Sequence, residues 1–88
     1  MNNKHVKVLK NILEDPLRSD IVWKDIEKMI SALGGEITEG AGSRVRIYLN
    51  DRIAIFHRPH PKKVTDKGAL KSVREFIVNS NIDIGEFI

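Results

Sequence analysis

The chain contains no cysteine among its 88 residues. This absence excludes disulfide bonds, zinc sites built on thiolates and catalysis by a thiol nucleophile. The sequence also lacks any apolar run close to the roughly 18 residues that a membrane-spanning helix needs. The N-terminus, MNNKHVKVLK, has neither the apolar stretch nor the small-residue cleavage site of a signal peptide. We therefore expect a cytoplasmic protein.

The length of the chain limits what its core can enclose. A chain of 88 residues is expected to form one domain and to bury roughly 60–65% of the surface that its unfolded state exposes. Its hydrophobic content of 41% and charged content of 31% are ordinary for a folded domain. Such a core has no room for a large enclosed cavity, so we expect any site to be a surface groove that contacts a large partner.

The net charge of +3 hides an asymmetry along the chain. Residues 41–75 contain nine lysines and arginines against three acidic residues, whereas residues 1–40 contain six against seven, and residues 76–88 contain none against two. Positive charge concentrated in one segment suits a polyanion, and contacts to nucleic-acid phosphates are its commonest use. The segment therefore favours nucleic acid as a partner over a solvated basic face without a ligand.

The first part of the chain has the periodicity of two helices. Apolar residues recur at helical spacing over residues 4–14, and Asp15-Pro16 ends this segment because the residue before a proline is pushed out of helical geometry. A second apolar stripe covers residues 23–33, and Gly34 follows it, as is typical of a helix C-terminus.

The second part of the chain predicts a small sheet and a closing helix. The stretch RVRIYL alternates strictly between polar and apolar residues, which is typical of a half-buried strand. The predicted strands cover residues 35–40, 44–49 and 52–58. Asn50-Asp51 suits a two-residue turn, and residues 69–79 return to helical spacing. The order α-α-β-β-β-α predicts an α+β domain with a three-stranded antiparallel sheet and helices on one face.

The predicted hairpin determines which residues face each other. If Asn50 and Asp51 form the loop, Val45 stands opposite Phe56 on the core side. Arg44 then stands opposite His57 on the face away from the helices, with Cβ atoms about 4.5–5.5 Å apart. A loop of odd length would reverse the faces and destroy this pairing.

The stretch FHRPHP brings two histidines into a short basic segment. Histidine, with an unperturbed pKa of about 6.5, can both accept and donate a proton near neutral pH. Cleavage of RNA without a metal needs a base for the 2′-OH, an acid for the leaving 5′-oxygen and a cation beside the phosphate. His57, His60 and Arg44 could supply these groups, and the two prolines would restrict the backbone that positions them.

Less specific interpretations of this segment remain open. A surface histidine usually has no catalytic role, prolines often simply end a strand, and His60 could fix the turn by a hydrogen bond to a carbonyl. A metal site is disfavoured because His57 and His60 lack a nearby cysteine or acidic cluster. We therefore expect no metal and no cofactor. The candidate RNA-binding side chains are Arg46, Tyr48, Arg58, Lys62, Lys63 and Lys67.

Four local features follow one another in a recognisable order. A helix ends at Leu33-Gly34, a short strand leads into Gly42-Ser43, two strands lead into the stretch PHPKK, and a closing helix reads GALKSVREFI. In this combination the chain resembles the HicA family of type II toxins. The stretch PHPKK is similar to that family's Pro-His-Pro element at the end of a strand.

The resemblance covers residues 23–82 and leaves residues 1–15 as an additional helix of one domain, residues 1–88. It implies a fold like that of a double-stranded-RNA-binding domain. It also implies an endoribonuclease that degrades messenger RNA and inhibits translation, together with a HicB-like antitoxin that covers and neutralises it.

The chain departs from the family pattern at one important position. The family's catalytic histidine follows a Gly-Ser pair, but the residue after Gly42-Ser43 is Arg44. Arginine stays protonated at neutral pH and cannot act as an ordinary base. We hypothesise that His57 replaces the family histidine, that Arg44 stabilises the phosphorane, and that His60 orients the segment or acts as a second acid or base.

Two non-catalytic functions use the same residues. One is an RNA-binding module that works through the basic sheet face, and the other is an interaction domain that docks a partner on exposed Tyr48, Ile53 and Ile55. RNA cleavage in excess chelator would identify the enzyme. Salt-dependent binding without cleavage would favour the module, and salt-insensitive association with a protein would favour the interaction domain.

Overall fold

The structure, a computed structural model, describes residues 1–88 and has the element order α-α-β-β-β-α followed by one turn of 3-10 helix. The elements are α1 (Asn3–Leu13), α2 (Trp23–Ala32), β1 (Glu36–Glu39), β2 (Arg44–Leu49), β3 (Arg52–His57), α3 (Lys67–Asn79) and the 3-10 turn Ile84–Glu86. This order confirms the predicted α+β fold and is consistent with a double-stranded-RNA-binding-domain-like architecture. None of these helices combines the length and the hydropathy of a membrane-spanning segment.

The third helix begins at Lys67, earlier than the apolar periodicity predicts. The reason is a cap, because the Asp66 carboxylate accepts a hydrogen bond from the backbone N–H of Ala69 at 2.8 Å. This bond satisfies one of the N–H groups that lack a partner within the helix. It helps to stabilise the first turn although Gly68, a weak helix former, lies within it.

The three strands form one antiparallel sheet in the order β1-β2-β3. Asn50 and Asp51 both have positive φ, 46° and 69°, as the turn that matches the twist of a tight hairpin requires. This two-residue loop sets the predicted register, in which Val45 pairs with Phe56 and Arg44 with His57. The helices cover the face that carries Val45, and the opposite face is open.

A single cluster of 17 buried residues forms the core between the sheet and the helices. The rings of Trp23 and Phe76 each lie 5.8 Å from the ring of Phe56, one tilted and one edge-on. Such contacts add to the apolar burial that stabilises the fold. The C-terminal stretch IDIGEFI also packs against this core through Ile82, Ile84 and Phe87.

The N-terminal helix is an integral part of the same core. Leu9 and Ile12 are fully buried in the cluster that contains the sheet residues. The guanidinium of Arg74, on α3, donates to the Ile12 carbonyl at 2.7 Å, to the Asp15 carboxylate at 2.9 Å and to the Glu14 carbonyl. Because these carbonyls at the end of α1 lack partners within the helix, Arg74 attaches α1 to α3.

Candidate functional site

The open face of the sheet carries a mixture of cationic and apolar side chains. Three cross-strand pairs of β2 and β3 lie on it, and all six residues are exposed. The pairs are Arg44 with His57, Arg46 with Ile55, and Tyr48 with Ile53. Ile53 and Ile55 are each 55% exposed, so this face presents large apolar groups to solvent beside two arginines.

Arg44 and His57 form the kind of cross-strand pair in which side chains approach most closely. The N–H of Arg44 bonds to the Ala41 carbonyl and not to His57, whereas the N–H of Arg58 donates to the Ser43 carbonyl at 2.8 Å. The pair Arg44–His57 is therefore of the non-hydrogen-bonded type, with Cα atoms about 4.5 Å apart. The structure brings these two predicted site residues together.

A shallow depression borders Arg44 between the loop that joins β1 to β2 and Ile55 of β3. It has a volume of about 110 Å³ and is lined by Gly40, Ala41, Arg44, Val45, Arg46 and Ile55. A Cβ atom at Gly40 would lie 3.0 Å from the Cβ atom of Arg44, so a side chain there would crowd the arginine. Glycine at this position keeps the depression open, and the surface that lines it is almost entirely apolar.

The loop that follows β3 is attached at both ends. At its start, the N–H of Arg58 bonds to the Ser43 carbonyl at 2.8 Å, and at its end the Lys63 carbonyl accepts from the N–H of Trp23 at 2.9 Å. An isolated β-bridge between Val22 and Val64 continues this second attachment. The loop over residues 58–63 therefore spans the gap between the end of the sheet and the start of α2.

The side chain of Arg58 points toward the helices and binds two carboxylates. It donates to Glu27 at 2.7 and 3.0 Å and to Glu39 at 2.5 and 2.7 Å. The hydrogen bonds that Arg58 donates to Glu39 and then to Glu27 raise the pKa of Arg58, and the Arg58 guanidinium lowers the pKa of Glu39. The indole N–H of Trp23 also donates to Glu27. Arg58, predicted as an RNA ligand, is thus engaged within the protein.

A groove of about 530 Å³ lies between this loop and the start of α2. Its lining residues are Val22, Trp23, Lys24, Glu27, Arg58, Pro59, His60, Pro61, Lys62 and Lys63. Neither His57 nor Arg44 is among them. The two histidines of FHRPHP therefore occupy different places, with His57 on the open sheet face and His60 in the groove.

The remaining predicted RNA ligands are spread over a wider surface. Tyr48 lies four residues from Arg44 along β2, about 13 Å away at the rise of a strand. Lys67 is exposed at the start of α3 and lines none of the pockets described above. Among the nine basic residues of the segment 41–75, only Arg58 and Arg74 form ion pairs, so the other seven keep unpaired positive charge.

The sequence did not reveal three polar residues that shape the site. Lys24 and Glu27 line the groove from α2, and Glu39 holds Arg58 from the end of β1. The spacing of Trp23 and Glu27, one helical turn apart, could have suggested their contact. The pairing of both glutamates with Arg58 depends on long-range packing, which no local pattern signals.

Comparison with known proteins gives one match. A family model described as HicA toxin of bacterial toxin-antitoxin matches residues 23–77. No curated protein and no solved structure matches the chain significantly. The matched region begins at the first residue of α2 and includes the whole sheet, the groove and most of α3.

Proposed function

The chain belongs to the HicA toxin family of bacterial toxin-antitoxin systems, and we propose that it is an endoribonuclease that cleaves messenger RNA and inhibits translation. Because messenger RNA is translated in the cytoplasm, we propose that the protein acts there. The observation that carries the proposal is the close pair of Arg44 and His57 on the open face of the sheet. An imidazole and a guanidinium held side by side provide a proton acceptor and a fixed cation for one phosphodiester.

The proposed reaction is an internal transfer at phosphorus that needs no metal. His57 removes the proton from the 2′-OH, and the 2′-oxygen attacks the adjacent phosphorus. The bond from phosphorus to the 5′-oxygen breaks, and the His57 imidazolium formed in the first step returns the proton to that oxygen. The products are a 2′,3′-cyclic phosphate and a free 5′-OH. Arg44 stabilises the additional negative charge of the phosphorane.

The open sheet face beside His57 suits the phosphate that reacts. Its two arginines, Arg44 and Arg46, form no ion pairs in the protein, and a guanidinium can bind a phosphate through two parallel hydrogen bonds. Tyr48 lies further along the same strand, where it can stack on an unpaired base. We place His60, which lines the groove, outside hydrogen-bonding contact with this phosphate and assign it to positioning of the RNA strand.

Membership of a toxin-antitoxin family implies an antitoxin partner, and we propose a HicB-like protein that covers the open sheet face. Ile53 and Ile55 expose apolar surface beside the candidate catalytic pair. A partner that buries this apolar surface and presents acidic groups to Arg44 and Arg46 would block access of RNA. Neutralisation would then follow from occupation of the site itself.

Digestion of RNA in excess chelator tests the reaction. The proposal predicts fragments that end in a 2′,3′-cyclic phosphate, formed at the same rate with and without chelator. Fragments that carry a 5′-phosphate would contradict internal attack by the 2′-OH. Loss of cleavage on chelation would contradict a mechanism without metal.

Exchanging the arginine and the histidine of the Arg44–His57 pair tests their proposed catalytic roles. Since Arg44 and His57 face each other directly, the double variant Arg44→His/His57→Arg keeps both groups on the same patch of surface. It also places histidine after Gly42-Ser43, as in the family pattern. We expect this variant to cleave RNA faster than His57→Arg alone. Equal inactivity of the two variants would oppose the assignment.

A second candidate function is a non-catalytic RNA-binding module. The observation that favours it is Arg44, which stands where the family pattern has its catalytic histidine and cannot act as a base at neutral pH. RNA binding that weakens with salt, with no cleavage by the wild-type protein, would support this function.

A further inference from the structure

The groove between the loop 58–63 and α2 contains three lysines without an internal partner. Lys24, Lys62 and Lys63 line it, and none of them takes part in an ion pair. The only carboxylate in the lining is Glu27, which is engaged by Arg58 at 2.7 and 3.0 Å. The groove is therefore electropositive and has no free carboxylate that would repel an anion.

The shape of the groove is fixed by contacts within the protein. The backbone bonds of Arg58 to Ser43 and of Trp23 to Lys63 hold the loop at both ends. Arg58 also ties the base of the loop to α2 through Glu27. A ligand that binds here would meet a preformed surface and would lose little free energy in ordering it.

The groove lies next to the candidate catalytic pair. His60, which lines it, is three residues after His57, so their Cα atoms are at most about 11 Å apart. An RNA strand whose scissile phosphate rests on the open face at Arg44 can therefore continue around the end of β3 into the groove.

We propose that this groove binds a nucleotide of the single-stranded RNA that flanks the cleaved phosphodiester, an inference that rests on the proposed function. Lys24, Lys62 and Lys63 contact phosphate oxygens, and Pro59 and Pro61 form an apolar wall for the ribose or base. The substrate is then single-stranded RNA that extends past the scissile bond, because a duplex could not bend into a groove on the helix side of the sheet.

The size of the groove favours a nucleotide over a segment of an acidic protein. Its volume of about 530 Å³ falls in the range of sites for small ligands, about 300–1,000 Å³. A stable protein interface buries about 1,200–2,000 Å² in total, which is far more surface than this groove can supply. The open face, with Ile53 and Ile55, is the better place for a protein.

Trp23 provides a spectroscopic probe at the base of the groove, where its side chain is 4% exposed. Trp23 is the only tryptophan in the chain and lines the groove, where its indole N–H bonds to Glu27. We would titrate the full chain with a 2′-O-methyl RNA oligonucleotide of roughly ten nucleotides, which lacks the attacking 2′-OH and cannot be cleaved. Binding is followed by fluorescence anisotropy of the oligonucleotide and by tryptophan emission.

Two lysines on α2 provide a matched pair of variants. Lys24 and Lys28 are both exposed and lie one helical turn apart, but only Lys24 lines the groove. We expect Lys24→Ala to weaken binding several-fold and to lower the slope of log affinity against log salt by about 0.7, the value for one phosphate contact on a single strand. Lys28→Ala should leave the slope unchanged. Lys63→Ala should behave like Lys24→Ala.

The outcomes separate this inference from the proposed function. A change in tryptophan emission that saturates with RNA and is reduced by Lys24→Ala would support RNA binding in the groove. This support would hold even if the wild-type protein cleaves no RNA. RNA binding that is unaffected by Lys24→Ala and causes no change in tryptophan emission would overturn the groove as an RNA site. It would leave the proposal of cleavage at His57 intact. Equal effects of Lys24→Ala and Lys28→Ala on RNA affinity would also overturn the groove as an RNA site. A change in tryptophan emission with an acidic polyglutamate peptide equal to that with RNA would do the same.

Discussion

Arg58 and Glu27 are joined by two hydrogen bonds, at 2.7 and 3.0 Å, although 31 residues separate them in the sequence. This contact connects the end of the third strand to the second helix. It neutralises the one carboxylate in the groove and holds the loop that carries His60. The same arginine that the sequence predicts as an RNA ligand is therefore part of the framework of the site.

Replacement of this arginine should lower the stability of the fold. We expect Arg58→Gln to reduce the free energy of unfolding by about 1–2 kcal/mol, because it removes charge-assisted hydrogen bonds and leaves the part-buried Glu27 carboxylate without a cation. Urea denaturation measures the change. Arg52→Gln is the control, since Arg52 is exposed and forms no ion pair. Equal stability of the two variants would show that the Arg58 contacts contribute nothing.

The contact of Arg58 with Glu39 should make stability depend on acid pH. The pKa of Glu39 is lowered in the folded state, chiefly by the hydrogen bond from Arg58, so the unfolded state binds more protons and stability rises with pH in this range. The contribution is complete above the ordinary glutamate pKa of about 4.3 and is lost as the pH falls through the lower folded value. Urea midpoints between neutral pH and about pH 3 should therefore fall less for Glu39→Gln than for the wild type. Parallel pH profiles of the two proteins would contradict this role for Glu39.

The two faces of the sheet should respond differently to the same change. Ile47 is fully buried beneath the helices, whereas Ile55 is 55% exposed on the open face. Ile47→Ala should cost about 2–4 kcal/mol of unfolding free energy, because it leaves a cavity in the core. Ile55→Ala should cost less than about 1 kcal/mol, mostly through strand propensity. A large loss for Ile55→Ala would mean that the open face is covered in the isolated protein.

The first helix should unfold together with the rest of the domain. Ile12 is fully buried in the common core, so Ile12→Ala should cost about 2–4 kcal/mol. Tryptophan emission, which reports on α2, and helical circular dichroism should still follow one transition. The exposed Lys10 provides Lys10→Ala as the control. Separate transitions for the two probes would show that α1 is an independent appendage.

Local patterns in the sequence were enough to predict the three helices, the three strands and the hairpin register, but not the start of α3 or the 3-10 turn. Strict alternation in RVRIYL identified the buried face of β2, and the Asn50-Asp51 turn placed His57 opposite Arg44. Both signals depend on neighbours in the chain, which is why they can be read without a structure.

The composition of the groove could not be predicted in the same way. Arg58 was predicted to bind RNA because its neighbours in the sequence are basic. The direction of its side chain is instead determined by ion pairs with Glu27 and Glu39, which come from distant parts of the chain. His60 was grouped with His57 because the two are close in sequence. The loop turns between them and directs His60 into the groove, so nearness in sequence did not predict a shared site.

The measurement that tests the central claim most directly is the rate of RNA cleavage by His57→Gln. General acid–base catalysis contributes about 10²–10⁴-fold, so we expect the rate to fall by that factor while affinity for the uncleavable 2′-O-methyl oligonucleotide stays the same. His5→Gln, on α1 and away from the open face, should retain full activity. Cleavage by His57→Gln at the wild-type rate, with the fold intact, would contradict the catalytic role of this residue.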